Sequence, residues 1–234
     1  MTHSLGAEAR TLLAMLRGQP RAGSHAERLQ AFYAPQAAHY DRFRERLLQG
    51  RDELLRRLPL GPGDTLIELG GGTGRNVEFL AARVPGLARV ELVDLCPALL
   101  AQARRRCGRW PNVHLVEADA TRYRPAQAAD VVLMSYALTM IPDWRPALHN
   151  AVAMLRPGGT LAVVDFCLSD TQPRWLGAFW RRWFAHDGVR LSREHAAVLR
   201  ALLPAHEYVE HRAPVPYLPL LQVPYYRFLG AKPR

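Results

Sequence analysis

A chain of 234 residues, 49% of them apolar, suits one domain with a sizeable core and contains no run of about 18 apolar residues that would cross a membrane. Its formal net charge is +10, carried almost wholly by arginine because Lys232 is the one lysine; this favours anionic surfaces, nucleic acid or lipid headgroups, without choosing between them. Three scattered cysteines, Cys96, Cys107 and Cys167, argue against a disulfide scaffold or a zinc site, so no metal is expected and a reducing cytoplasm fits.

The first residues carry Glu8 and Arg10 and do not read as a secretory signal. Residues 7–17 read as a short amphipathic helix with Leu12, Leu13 and Leu16 on its stripe, ended by Gly18 and Pro20. Two more helices are predicted over 25–34 and 36–58, broken near Pro35; the second turns Tyr40, Phe43, Leu47, Leu54 and Leu58 to the core. After a turn over 59–64, the apolar run 66–69 predicts a buried strand. Gly70, Gly72 and Gly74 follow at alternate positions, and a helix is expected over 76–83. Strand, glycine turn and helix together let a backbone approach a nucleotide closely. The spacing is E-x-G-x-G-x-G, not the dinucleotide form G-x-G-x-x-G, since Arg75 stands where the third glycine would be. No Gly-Lys-Ser/Thr follows, so a phosphate-free ligand is indicated, and S-adenosylmethionine is of that kind.

A second predicted strand, 89–94, ends in Asp94, 26 residues after Glu68. A carboxylate there can accept both hydroxyls of a ribose. A third run, 114–120, carries Asp119, 25 residues further on. The plainer alternative is that each Asp caps the helix after it. Residues 97–106 follow as a helix with Pro97 in its first turn. Strand 130–136, helix 142–155, an R-P-G-G turn and strand 160–166 continue the alternation. Helices over 175–185 and 193–203 and strands over 206–211 and 223–229 end the chain. Such alternation predicts a parallel, doubly wound sheet with its ligand at the strands' carboxyl ends.

The glycine loop with three acids at successive strand ends resembles the class I S-adenosylmethionine-dependent methyltransferases. That resemblance implies an α/β, Rossmann-like, doubly wound, seven-stranded and mostly parallel sheet with one antiparallel edge hairpin. It divides the chain into an N-terminal helical lid, 1–58, and a methyltransferase domain, 59–234. It also implies S-adenosylmethionine as cofactor, held by Tyr40, Glu68, Gly70, Gly72, Gly74, Asn76, Asp94, Leu95, Asp119, Ala120 and Ser135. Asp119 would accept from the adenine amino group and the Ala120 amide would meet the ring. A lid tyrosine, Tyr33 or Tyr40, would meet the methionine end.

Residues 33–44, Gly50-Arg51, 135–144, 180–188 and 224–230 are similar to a narrower family, the bacterial N-methyltransferases that make the betaine lipid diacylglyceryl-N,N,N-trimethylhomoserine. This likeness implies three methyl transfers to the amine of diacylglyceryl homoserine. The candidate catalytic residues are Tyr136, His186 and Tyr40, with His186-Asp187 helping to remove the acceptor's proton. Tyr33, Tyr40, Tyr136, Trp144, Trp183 and Phe184 are candidates for an aromatic wall around a cationic product. Arg42, Arg44, Arg46, Arg51, Arg174, Arg181, Arg182 and Arg190 would hold the enzyme at an anionic membrane, the cytoplasmic face of the inner membrane. Association with the enzyme that supplies diacylglyceryl homoserine is a further implied partnership. No Asn/Asp-Pro-Pro-aromatic run or cysteine follows the fourth strand, and the basic residues lack interleaved aromatics, so a nucleic-acid partner is not expected. A quinone-ring C-methyltransferase, a phosphatidylethanolamine or small-molecule N-methyltransferase, and a non-catalytic cofactor-binding protein remain as alternatives.

Overall fold

The computed structural model describes residues 18–20, 22–35, 47–215 and 218–234, with no side-chain description for 218–220. The expected helix over 7–17 and residues 36–46 of the one over 36–58, including Tyr40, Arg42, Arg44 and Arg46, lie outside the described residues.

Ser24 opens helix α1, His25–Tyr33, through a capping box: its hydroxyl accepts from the Glu27 amide while the Glu27 carboxylate accepts from the Ser24 amide. The described end of the expected second helix is a separate element, α2, Arg51–Arg56. Gly50, in the left-handed region at φ 77°, breaks the run before it. Then follow β1 (Thr65–Leu69), α3 (Arg75–Phe79), β2 (Arg89–Asp94), α4 (Pro97–Cys107), β3 (Val113–Glu117) and β4 (Ala129–Ser135). The chain continues with α5 (Trp144–Met154), β5 (Leu155–Phe166), α6 (Arg174–Ala185), α7 (Glu194–Leu202), β6 (His206–Val215) and β7 (Leu218–Ala231). Helix α3 is shorter than expected because residues past Leu80 tighten into turns and a 3-10 turn at Val84–Gly86. β5 is longer, taking in the R-P-G-G segment.

The seven strands form one sheet in the order β3-β2-β1-β4-β5-β7-β6. The first five are mutually parallel, and β7 runs antiparallel to both β5 and β6, so the tail forms the expected edge hairpin. Alternate side chains go to opposite faces, as the pleat requires. Leu66, Val90, Leu92, Val131 and Leu133 face a core shared with α1 to α4, while Ile67, Val93, Val132 and Met134 face one shared with α5 and α7. From β1 the chain crosses outward to β2 and β3, then returns to β4 on the other side. That reversal leaves an opening at the carboxyl ends of β1 and β4, where ligands of open α/β sheets sit.

Candidate functional site

The turn after β1 is shaped by its glycines. Gly70 and Gly72 have φ of 76° and 54°, a region costly for side-chain-bearing residues. A Cβ on Gly70 would stand 2.4 Å from that of Ala137. The amides of Gly70 and Gly71 both donate to the Val93 carbonyl, at 2.8 and 3.1 Å, which ties the loop to the end of β2. One residue further, Asp94 turns its carboxylate back: Oδ2 accepts from the Gly72 amide and Oδ1 from the Cys96 amide, both at 2.8 Å. The Leu95 amide also acts on this carboxylate. Burial raises the Asp94 pKa, and the hydrogen bonds from Cys96 and Gly72 oppose that shift.

Loop and strand ends enclose a crevice with a cavity volume of about 120 Å³ that opens to solvent at its mouth. Of the expected cofactor residues, Glu68, Gly70, Gly72, Asn76, Asp94, Leu95, Asp119, Ala120 and Ser135 all line it. Glu68, at the end of β1, is buried; its Oε1 accepts from Asn76 Nδ2 at 2.6 Å, and its Oε2 has no hydrogen-bond partner. Burial pushes its pKa up to about 8, against the smaller opposing effects of Asn76 and Arg51. Asn76 Oδ1 and Ser135 Oγ are likewise buried without partners. Asp119 Oδ1 accepts from the Thr121 amide and hydroxyl, both at 2.8 Å, so its carboxylate also serves the local turn, although no helix follows it before β4 for it to cap. Two carboxylates thus stand beside the glycine loop, and unsatisfied polar atoms lie deep under it. A nucleoside joined to an amino acid offers the matching set: hydroxyls and an amino group for the carboxylates, and an ammonium for Glu68. The residues present fit S-adenosylmethionine.

Tyr136 also lines the crevice. It carries a positive φ of 53°, a strained backbone for a bulky residue. Its ring lies 4.7 Å from Phe166, and its hydroxyl donates to the Gln49 carbonyl at 2.6 Å. Burial raises the phenol far above its ordinary value, so it is a neutral wall and not a base.

Other expected residues stand elsewhere. Gly74 does not line the crevice; it begins α3 at φ 71°, where a Cβ would meet Cys107 Sγ at 2.7 Å, so it serves packing of the loop on α4. His186 lies past the end of α6, on a neighbouring depression, and its carbonyl accepts from the Gln19 amide. Trp144 packs edge-on against His195 in the other core, Trp183 is exposed on α6, and Phe184 stands behind Phe166. Tyr33 lines the crevice, while Tyr40 is outside the described residues.

Several residues of the crevice were not singled out for it beforehand. His25 and Leu29 of α1 line it beside Tyr33. Gln30 secures α1 there, its Oε1 accepting from the Ala98 amide at 3.2 Å and the Cys96 thiol at 3.3 Å. Asp165 holds the turn after β4, accepting from the Thr139 amide and hydroxyl. A glutamine four residues before a predicted helix end carries no sequence signal of such a role.

Residues 66–159 match the family model described as a methyltransferase domain. The chain is 36% identical over 126 residues to trans-aconitate 2-methyltransferase of Methylobacterium radiotolerans, covering 54% of this chain and 47% of that protein. It therefore spans about half the length of the curated relatives it matches. Among solved structures, the N-methyltransferase NodS of Bradyrhizobium japonicum aligns at 25% identity with a TM-score of 0.58, covering 79% of this chain and 95% of that one. The [4+2]-cyclase SpnF aligns with a TM-score of 0.69 over 92% of this chain and 98% of that one, at 15% identity, a likeness of fold alone. The part of the chain that matches the methyltransferase-domain family, 66–159, is the part that supplies the glycine loop, its acids and β4.

Proposed function

We propose that this protein is an S-adenosylmethionine-dependent N-methyltransferase acting on the amine of a lipid headgroup, with diacylglyceryl homoserine as the acceptor and the trimethyl betaine lipid as product. The observation that carries the methyl-transfer reading is the Asp94 carboxylate, fixed by the Gly72 and Cys96 amides at the mouth of a glycine-walled crevice. When bound, the cofactor supplies an electrophilic methyl group on a sulfonium. The chain's part is to hold donor and acceptor in line and to keep the acceptor nitrogen unprotonated. Glu68 and Asn76 would hold the methionine end, Asp94 the ribose, and Asp119 with Ala120 the adenine. Tyr33 and Tyr136 present aromatic surface beside the space left over, which suits a methylated ammonium.

Two features support a lipid acceptor. Helix α6 exposes Trp175 (70%), Phe179 (36%) and Trp183 (45%) at four-residue spacing, one stripe along its outer face. Arg174, Arg181 and Arg182 flank the stripe, the helix carries no acid, and none of the three has an ion pair among the described residues. Contrary to the expectation that the basic residues lack interleaved aromatics, this helix sets indole rings among arginines, a match to the headgroup region of an anionic bilayer. The helix's inner face carries Phe184, its ring 4.5 Å from that of Phe166, itself against Tyr136, so three packed rings join that inner face to the crevice. No described helix is long and apolar enough to cross a membrane.

A second reading is methylation of a carboxylate, favoured by the name of the trans-aconitate relative. The test is to incubate the purified protein with labelled S-adenosylmethionine and either diacylglyceryl homoserine in micelles or trans-aconitate. Label in the lipid amine is expected; label in trans-aconitate alone contradicts the lipid reading, and label in neither contradicts both.

A further inference from the structure

The crevice and the depression beside it share two residues, His25 and Met140. His25 is the first residue of α1 and half-buried. Its Nδ1 is buried and has no hydrogen-bond partner. An imidazole nitrogen kept from water without a partner is costly unless something is to meet it there. Of the other groups near the space left over by a cofactor, the Tyr136 phenol is committed to Gln49 and His186 faces only the depression.

We propose that His25 is the base of this site, accepting at Nδ1 the proton that an acceptor amine loses on methylation. The proposal rests on reading the crevice as a methyl-transfer site. The proton balance separates an amine acceptor from a carboxylate. A neutral amine uses its lone pair to form the new N–C bond, while the sulfur keeps the electrons of the bond that breaks. In the first two transfers the nitrogen is then an ammonium, its N–H proton passes to Nδ1, and the imidazole becomes imidazolium; the third leaves a quaternary nitrogen with no proton to pass. Carboxylate oxygen has no proton to lose, so a base would be idle in a carboxylate-methylating enzyme.

Four charged groups from four parts of the fold act on the ring. Arg28 lies one turn along α1, Asp119 comes from the segment after β3, Asp143 precedes α5, and Arg190 follows α6. Burial chiefly, then Arg28 and Arg190, hold the His25 pKa below its ordinary 6.5, against Asp119 and Asp143. The ring is therefore unprotonated at neutral pH, with its lone pair available.

The test combines titration with catalysis. Histidine NMR of the wild-type protein, with the His25 signal assigned by its loss in His25→Gln, should show a ring titrating below 6.5. Arg190→Ala should move it upward by removing a positive neighbour. His25→Gln should keep S-adenosylhomocysteine affinity within about threefold yet lose about 10²-fold or more in methylation of diacylglyceryl homoserine, with the low-pH limb of the rate profile gone. Titration at or above 6.5, an unchanged rate in His25→Gln, or loss of its S-adenosylhomocysteine binding each overturns the assignment. If the wild-type protein itself binds no S-adenosylhomocysteine, the reading of the crevice has failed and the proposal falls with it.

Discussion

Glu68 carries a cost that the site's chemistry explains. A carboxylate at the end of a buried strand could have been replaced by an apolar residue, yet here it stands with one oxygen unpaired. Its pKa of about 8 exceeds the ordinary 4.5. Between those values the folded chain holds a proton that the unfolded chain has released, so folding stability falls as pH rises through that window. Glu68→Gln removes this titration. We expect its melting temperature to vary less with pH between 5 and 9 than the wild type's, with a gain at the alkaline end on the order of 2 kcal/mol. Melting curves that run parallel in the two proteins would contradict a buried, proton-holding Glu68. At this scale the sequence was informative where residue type and spacing coincide, as for Glu68, Asp94 and Asp119. It was silent on His25, Gln30 and Asp165, whose positions depend on how separate elements meet. Gly74 followed the same spacing as Gly70 and Gly72 but faces Cys107, because the turn rotates successive residues away from one another.

At the scale of elements, helix α6 shows how far a pattern reaches. Its inner residues Gly177, Trp180 and Phe184 recur at helical spacing and are buried, so its existence and inner face were legible in the chain. Its outer aromatics read equally well as a product-binding wall, and only the packing places Trp183 outside. As an interfacial helix, α6 should bring the protein down with vesicles containing phosphatidylglycerol at low salt. The paired change Trp175→Ser and Trp183→Ser should weaken that association about tenfold or more while leaving S-adenosylhomocysteine binding intact, because neither ring lines the crevice. Equal sedimentation of both proteins, or none of the wild type, would remove the membrane role. The helix expected over 36–58 failed differently: Gly50 adopts a left-handed conformation, and a Cβ there would lie 2.4 Å from the Tyr225 ring.

The whole molecule follows from one topological event. A parallel sheet that winds outward from β1 and then reverses to β4 must open a gap at the carboxyl ends of those strands. The alternation of strands with helices, skipped only between β3 and β4, made that arrangement readable in the chain, and the antiparallel insertion of β7 beside β5 completes it. The acceptor is less legible, because the same sheet serves methyltransferases and a cyclase alike. What separates these outcomes is the set of side chains in the gap, and the central claim is that this set grips a sulfonium nucleoside through Asp94. Calorimetric titration of S-adenosylhomocysteine into the wild-type protein and into Asp94→Ala tests it most directly. Saturable binding by the wild type is expected, weakened about 10- to 100-fold by the substitution through loss of a charge-assisted hydrogen bond; no binding by the wild type, or the same affinity in both proteins, would contradict the account.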